Sequence, residues 1–330
     1  MIVGVDVSKE WLDIAVKGIK PQRFYERRLE NDAGGFQRLL SWVQERTGST
    51  PKELTLVMEA TGVYHEAAAL ALYEAGCRVI VANPKRVRDY ASGVGLLNKT
   101  DRADARALWR YGSEQHGELI PWEPPPAEIR VLRALYTRLS AVQEDLRREL
   151  NRKAQAELSG QPVPVQESMQ QSIGHLQADC ERLKQAIEDH FDQHPPLRSQ
   201  RELLQSIPGV GPVSADRMLC LLARHRFASA RQAAAFAGLV PRLHESGSSV
   251  RKQPRMSKRG DRSLRATLYM AAVVACRHNR QLSEHYRALL TAGKCKMSAL
   301  GVLMRRLLHI AFGMLKHNTT YDSSKVALTA

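Results

Sequence analysis

Four carboxylates in the first third of the chain have the types and spacing of a metal site for cutting nucleic acid: Asp6, Glu59, Asp101 and Asp104. Asp6 follows the apolar run Ile2-Val3-Gly4-Val5, and Glu59 closes Leu54-Thr55-Leu56-Val57-Met58. Short β-rich runs of this kind become buried strands. An acid at the end of each emerges at the rim of a sheet, where α/β folds place their chemistry. Asp101 and Asp104 lie three apart in a segment that reads as the start of a helix, so they share a face. Clustered carboxylates repel unless a cation neutralises them, so the set predicts bound Mg²⁺, with Mn²⁺ also suited to oxygen ligands. Two such ions flanked by carboxylates would activate an attacking oxygen and stabilise a leaving one. One acid at a strand end is ordinarily a solvated cap, so the reading rests on all four together. Glu10, Asp13 and Asp89 are nearby acids without a comparable position and read as surface residues.

The elements that must position these acids follow from hydrophobic pattern. Candidate strands are Ile2–Val7, Leu12–Val16, Arg23–Leu29, Leu54–Glu59 and Arg78–Ala82, and helical periodicity covers Ala33–Arg46, Tyr64–Ala75 and Asp101–Tyr111. This order predicts an α/β N-terminal domain over residues 1–120, a mixed sheet of ribonuclease-H-like type covered by helices. Pro121-Trp122-Glu123-Pro124-Pro125-Pro126 is a stiff break. Beyond it, amphipathic patterns over Glu128–Leu158 and Val165–His190 flank a Gly/Pro turn and predict an antiparallel coiled-coil hairpin across 127–194. Such a hairpin serves dimerisation or packs on its own chain, and the pattern favours neither. A mainly α C-terminal domain is expected over 199–317, followed by a polar tail.

Charge is unevenly spread. The 330-residue chain carries a formal net charge of +15, and its isoelectric point near 9.8 points to a polyanionic partner. Residues 242–316 hold 16 Lys/Arg against 3 Asp/Glu, whereas residues 1–118 are close to balance with 17 against 16. Five scattered cysteines without a CxxC pair argue against a zinc site or a disulfide framework and fit a reducing cytoplasm. No signal peptide or membrane span stands out, so a cytoplasmic protein without a membrane partner is expected.

Two later segments bear on the polyanion. Leu203 to Ala215, with Ile207-Pro208-Gly209-Val210-Gly211, resembles a helix-hairpin-helix element, whose Gly209 and Gly211 would let a phosphate backbone approach helix amides. An ordinary Pro-Gly turn is the plainer alternative. Ser246-Gly247-Ser248-Ser249 precedes basic, helical-looking sequence with Arg251, Lys252, Arg255, Lys258, Arg259, Arg262 and Arg265. A serine hydroxyl held beside a phosphate by these cations is a candidate nucleophile, although composition alone describes a flexible loop.

Taken together, the chain resembles the DEDD transposases of the Piv/MooV type, insertion-sequence recombinases of the class numbered one-hundred-and-ten. The likeness runs from Gly4-Val5-Asp6-Val7-Ser8-Lys9 through Met58-Glu59-Ala60-Thr61-Gly62, Lys99-Thr100-Asp101-Arg102-Ala103-Asp104-Ala105, Ile207 to Gly211 and Ser246-Gly247. It ends in Ser257-Lys258-Arg259-Gly260-Asp261. The resemblance implies a RuvC-like domain in which Asp6, Glu59, Asp101 and Asp104 bind Mg²⁺. It also implies that Ser246 attacks a DNA phosphodiester, with Ser248 and Ser249 as alternatives and His244 and Glu245 as candidates to take its proton. Donor and target DNA, a bridge-type non-coding guide RNA, and a homodimer or tetramer are further implications. The competing reading is a metal-dependent Holliday-junction-type endonuclease using water as nucleophile. An actin-like ATPase would need a Gly-rich phosphate loop after Asp6, and Val7-Ser8-Lys9-Glu10 provides none. A purely structural nucleic-acid-binding protein would leave the acids unexplained.

Overall fold

Five strands, β1 (Ile2–Val7), β2 (Trp11–Lys17), β3 (Phe24–Glu30), β4 (Thr55–Glu59) and β5 (Arg78–Ala82), form one sheet in the order β3-β2-β1-β4-β5. β1, β4 and β5 run parallel, while β2 is antiparallel to both of its neighbours. The computed structural model describes residues 1–18, 23–96, 101–224, 227–246, 250–258 and 260–325, with side chains except at 101–102, 224, 243–246, 250–253 and 325. The chain divides into two compact units, Met1–Pro124 and Pro125–Ala330.

In the first unit the central strands are apolar on both faces because both faces are covered. Helices α1 (Ala33–Thr47) and α2 (Tyr64–Glu74) cover one face, packing Phe36, Leu39 and Leu72 against Val3, Val5, Ile14, Leu56 and Met58. Helices α3 (Pro84–Gly93) and α4 (Asp101–Glu114) cover the other, where Val87, Leu108 and Tyr111 meet Val57, Ile80 and Ala82. Sequence periodicity missed α3, a short helix with one buried residue. Its start is nevertheless written in Asn83-Pro84: the Asn83 side chain accepts from the Lys85 amide at 2.9 Å, and Pro84 takes the first helical position. This mixed five-stranded sheet with helices on both faces is consistent with the ribonuclease-H-like expectation.

The second unit is built on helices. α5 (Ala127–Leu158) and α6 (Val163–Gln193) run antiparallel: His190 Nε2 lies 2.9 Å from the Glu128 carbonyl at one end, and Lys153 Nζ donates to Gln170 at 2.7 Å towards the other. α7 (Pro195–Gln205), α8 (Pro212–Arg224) and α9 (Ala230–Phe236) follow, then a two-stranded hairpin, β6 (Pro241–Ser246) with β7 (Val250–Met256). α10 (Arg262–His278), α11 (Arg280–Thr291) and α12 (Lys296–His317) complete the unit. α12 is long and apolar enough to cross a membrane by length and composition, which the sequence reading did not single out. In the fold it is a core helix, burying Leu303, Leu307, Leu308 and Ala311 among the other helices.

A polar network links α5, α6, α7 and α8. The Tyr136 hydroxyl donates to Asp216, and Arg201 Nε lies 2.9 Å from the other Asp216 oxygen. Arg201 also donates to both carboxylate oxygens of Glu188 at 2.6 and 2.7 Å. Burial pushes the Asp216 carboxyl up to about 6 despite Tyr136 and Arg201.

Candidate active site and nucleic-acid contacts

The sheet register decides which acids can meet. β1 and β4 are parallel with Gly4 opposite Val57 and Val5 opposite Met58, so one step further along the ladder brings Asp6 level with Glu59. Each is the acid at or near the carboxyl end of its strand, and each is half-buried. Strand alternation puts Asp6 on the same face as Gly4 and Ile2. That is the face α4 covers.

α4 crosses this face in the direction opposite to β1. A Cβ on Gly112 would meet the side chains of Val57 and Ile2, while a Cβ on Gly4 would run into the Ala105 carbonyl and the Trp109 amide. From Gly112 over Ile2 to Ala105 over Gly4, the helix therefore carries its N-terminal turn, with Asp104, towards Asp6. Phe24 packs edge-on against Trp109 with ring centroids 4.8 Å apart, and Arg106 pairs with Glu26, fixing α4 against β3 as well. Gly4 is required here because any side chain would lift the helix away. Asp104 is half-buried on α4. Asp101 begins the same helix, but its side chain lies outside the described residues, and so do residues 97–100 just before it. Among the described residues, no group of three or more His, Cys, Asp and Glu is already drawn together as a metal site. The donors nonetheless suit a hard divalent cation, being carboxylate oxygens at one rim of the sheet.

Asp13 departs from the sequence reading. It is not a surface acid: it is 4% exposed and sits directly opposite Asp6 in the β1–β2 ladder. Its carboxylate accepts from Arg28 Nε at 3.0 and 3.1 Å and from Arg28 Nη2 at 2.8 Å. Arg28 is in turn opposite Asp13 on β3, so Glu59, Asp6, Asp13 and Arg28 lie in one row across four strands. The available signal was an acid inside the apolar run Leu12-Asp13-Ile14-Ala15-Val16, which can be buried only with a partner. Glu10 and Asp89 are exposed as expected, Asp89 pairing with Lys85 at 2.8 Å.

The expected nucleic-acid residues fall into different settings. Gly209 adopts φ +98°, and a Cβ there would lie 2.7 Å from the Ala275 backbone, so this glycine seats the turn on α10. Gly211 faces open space just before α8 begins at Pro212. The segment after Ser246 was expected to be helical, yet Val250–Met256 is strand β7, paired with β6 through Ser246 opposite Val250. Val250 to Met256 holds one Val, a Pro and four polar or charged residues without apolar alternation, so the strand carried no periodic signal in the sequence. Arg255 on β7, Lys258 beyond it and Arg262 on α10 are exposed, while Arg265 is half-buried and donates to the Ala237 carbonyl at 3.4 Å. Ser246 is the last residue of β6; its side chain, those of His244, Glu245, Arg251 and Lys252, and all of Gly247, Ser248, Ser249 and Arg259 lie outside the described residues.

Comparison with known proteins agrees with this architecture. A model of DEDD transposases of the IS110 type, described as "Transposase", matches residues 3–156. One described as "Transposase IS116/IS110/IS902 family" matches residues 201–287. The pilin gene-inverting protein of Moraxella bovis is 29% identical over 97% of both chains. A probable family 20 transposase of Pseudomonas aeruginosa is 26% identical over 81% of this chain and 85% of its own. The transposase for insertion sequence element IS1111A of Coxiella burnetii is 25% identical over 61% of this chain and 60% of its own. A DEDD transposase domain is also one suggestive of divalent-metal use. From the sheet with its rim of acids to the matched C-terminal region, the chain belongs to the IS110 family of DEDD transposases and is a DNA transposase/recombinase.

Proposed function

We propose that this recombinase mobilises an insertion sequence by cutting and rejoining DNA with Ser246 as nucleophile and a divalent-metal site of Asp6, Glu59, Asp101 and Asp104. The observation that carries the reading is the ladder placing Asp6 level with Glu59 beneath the helix that begins with Asp101 and Asp104. Mg²⁺ is the expected ion, and when bound it supplies positive charge at the attacking and leaving oxygens. The four carboxylates would hold it, and their mutual repulsion gives them affinity for it. Ser246 Oγ loses its proton and bonds to the scissile phosphorus as one phosphorus–oxygen bond to deoxyribose breaks, the departing oxygen taking up a proton. The resulting phosphoserine ester conserves the bond, so rejoining needs no nucleotide cofactor.

Gly211 with Arg255, Lys258, Arg262 and Arg265, together with Arg251, Lys252 and Arg259, would grip phosphate backbones, which carries no sequence information. Sequence choice is accordingly assigned to a guide RNA that pairs with donor and target DNA. The acids belong to the first unit and Ser246 to the second, within a domain plan of 1–120, 127–194 and 199–317. The α5–α6 pair is assigned as a coiled-coil hairpin that joins protomers into a dimer or tetramer.

The test is to incubate the protein with Mg²⁺, its element's flanking RNA and end-labelled donor and target DNA, then look for protein-linked DNA. An adduct formed by the wild type and lost in Ser246→Ala supports the serine mechanism. Cleavage without any adduct, dependent on Asp6 and Asp104, would make the chain a water-using junction nuclease instead.

A further inference from the structure

We propose that Trp11 is a base-stacking residue of the acid site, taking an unpaired nucleobase of the DNA strand that is cut there. This rests on the reading of Asp6, Glu59, Asp101 and Asp104 as the place of cutting and adds the contact that holds the strand beside it. Asp6 stands opposite Asp13 in the β1–β2 ladder, so Trp11, two residues before Asp13, is the diagonal neighbour of Asp6. Strand alternation puts Trp11 on the face of Asp13 and Asp6. It is the face of α4, as Lys17 at the far end of β2 shows by lying over the Trp109 ring. Diagonal neighbours are about 7–8 Å apart, within reach of an aromatic side chain.

Trp11 is 40% exposed, although every residue from Leu12 to Val16 behind it is buried. Of the four tryptophans it is the exposed one: Trp42 is buried, and Trp109 and Trp122 are half-buried against Phe24 and Tyr73. Trp11 makes no ring or cation contact among the described residues. Its backbone, by contrast, is clamped. The Ser8 amide and hydroxyl both donate to the Trp11 carbonyl, at 2.9 and 3.0 Å, and the hydroxyl accepts from the Trp11 amide at 3.1 Å. Asn31 holds the same turn from β3: its backbone amide donates to the Glu10 carbonyl at 2.9 Å. Its side chain donates to the carbonyls of Ser8 at 2.9 Å and Tyr64 at 3.1 Å. An indole anchored in this way needs little further ordering to receive a ligand. Lys9, exposed in the same turn, supplies the positive charge that single-strand sites combine with an aromatic face. Bases in an intact duplex stack on one another, so the indole takes a base that has left the stack, as strand exchange requires.

The experiment uses the full chain with Mg²⁺ and two labelled probes of equal length, a single-stranded thymidine oligonucleotide and a fully paired duplex. Anisotropy across a salt series gives affinity, tryptophan fluorescence reports stacking, and Mn²⁺ binding is measured separately by calorimetry without nucleic acid. The single strand should quench the fluorescence of the wild type, and Trp11→Ala should lose that quenching. Trp11→Ala should bind the single strand about ten-fold more weakly, the value of one stacked base. Its salt slope should be that of the wild type, because no charge is removed. Its loss on the duplex should be smaller, and its Mn²⁺ binding should be undiminished. Trp11→Phe keeps a ring and should restore most of the affinity, while Lys9→Gln should lower the salt slope by about one. Wild-type affinity for the single strand in Trp11→Ala, or an equal loss on both probes, would overturn the proposal. Undiminished Mn²⁺ binding by Asp6→Asn would instead overturn the metal-site reading, an outcome that Trp11→Ala does not touch.

Discussion

The close approach of α4 to β1 gives the sharpest handle on the acid site. In Gly4→Ala the new Cβ would lie 2.5 Å from the Trp109 amide nitrogen, where ordinary contact begins at 3.4 Å, and closer still to the Ala105 carbonyl. Both obstacles are backbone, so no side chain can rotate away. The helix must retreat by about 1 Å, taking with it the turn that carries Asp104, and overpacking of this kind costs ~1–3 kcal/mol. A misplacement of about 1 Å at a reacting centre lowers rates on the order of 100-fold. Gly112→Ala is the matched control. Its Cβ would meet side chains of the buried layer, Val57 at 2.5 Å and Ile2 at 3.1 Å, which must shift to admit it, but it meets no backbone. Urea unfolding, Mn²⁺ calorimetry and a DNA cleavage assay on both variants make the test. Gly4→Ala should lose more stability than Gly112→Ala, weaken Mn²⁺ binding and cut far more slowly. Wild-type stability and cleavage in Gly4→Ala would refute the claim that α4 rides on β1 and delivers its acids to that rim.

Gly209→Ala should destabilise the second unit by ~1–3 kcal/mol, because its Cβ would press on Ala275 and its φ of +98° disfavours a side chain, whereas Gly211→Ala should leave melting unchanged. Thermal melts of the two variants decide it. Replacing Arg255, Lys258 and Arg262 together by Gln should lower the salt slope of DNA binding by about three with no change in melting, read by anisotropy across a salt series. The Asp216 carboxyl is raised to about 6 from an ordinary 3.8, so its charged form is disfavoured in the fold. Its contribution to stability is full below pH 3.8 and is lost as pH rises through about 6. The stability of wild type relative to Asp216→Asn should therefore fall between pH 4 and pH 7 in urea titrations; a flat or rising difference would sink this.

Strands and long helices were legible because their signals are local. The runs ending in Asp6 and Glu59 could be placed from composition, and β1 and β4 follow them within a residue. Register is not local, and that is where reading failed. Whether Asp13 faces Asp6 or the opposite layer depends on how the β1–β2 turn closes, and one residue of slip would exchange the faces. Arg28 lies 15 residues from Asp13 and meets it only through the β2–β3 ladder. In the same way, Gly209 packs on Ala275 of another helix, a neighbour in space that the surrounding sequence does not announce. The β6–β7 hairpin was hidden for a different reason: dense Arg and Lys describe a surface and carry no period of their own.

Two charge clusters among the described residues differ in how far they are covered. Around Arg201, the side chains of the ion pair with Asp216 are 10% and 0% exposed, and Tyr136 closes the remaining side. That pair is covered by the helices, with Glu188 on α6 as the solvent-facing end of the cluster, so its role is to fix the relative rotation of α5, α7 and α8. The Arg28–Asp13 pair has the same chemistry, but the Arg28 side chain is 46% exposed and the pair stands in line with Asp6. Equal burial at both ends marks a charge pair kept for structure. On that criterion Arg201→Met should abolish folding or cooperative melting before it changes DNA binding. An Arg201 variant that stays folded but loses DNA affinity with a reduced salt slope would overturn this reading.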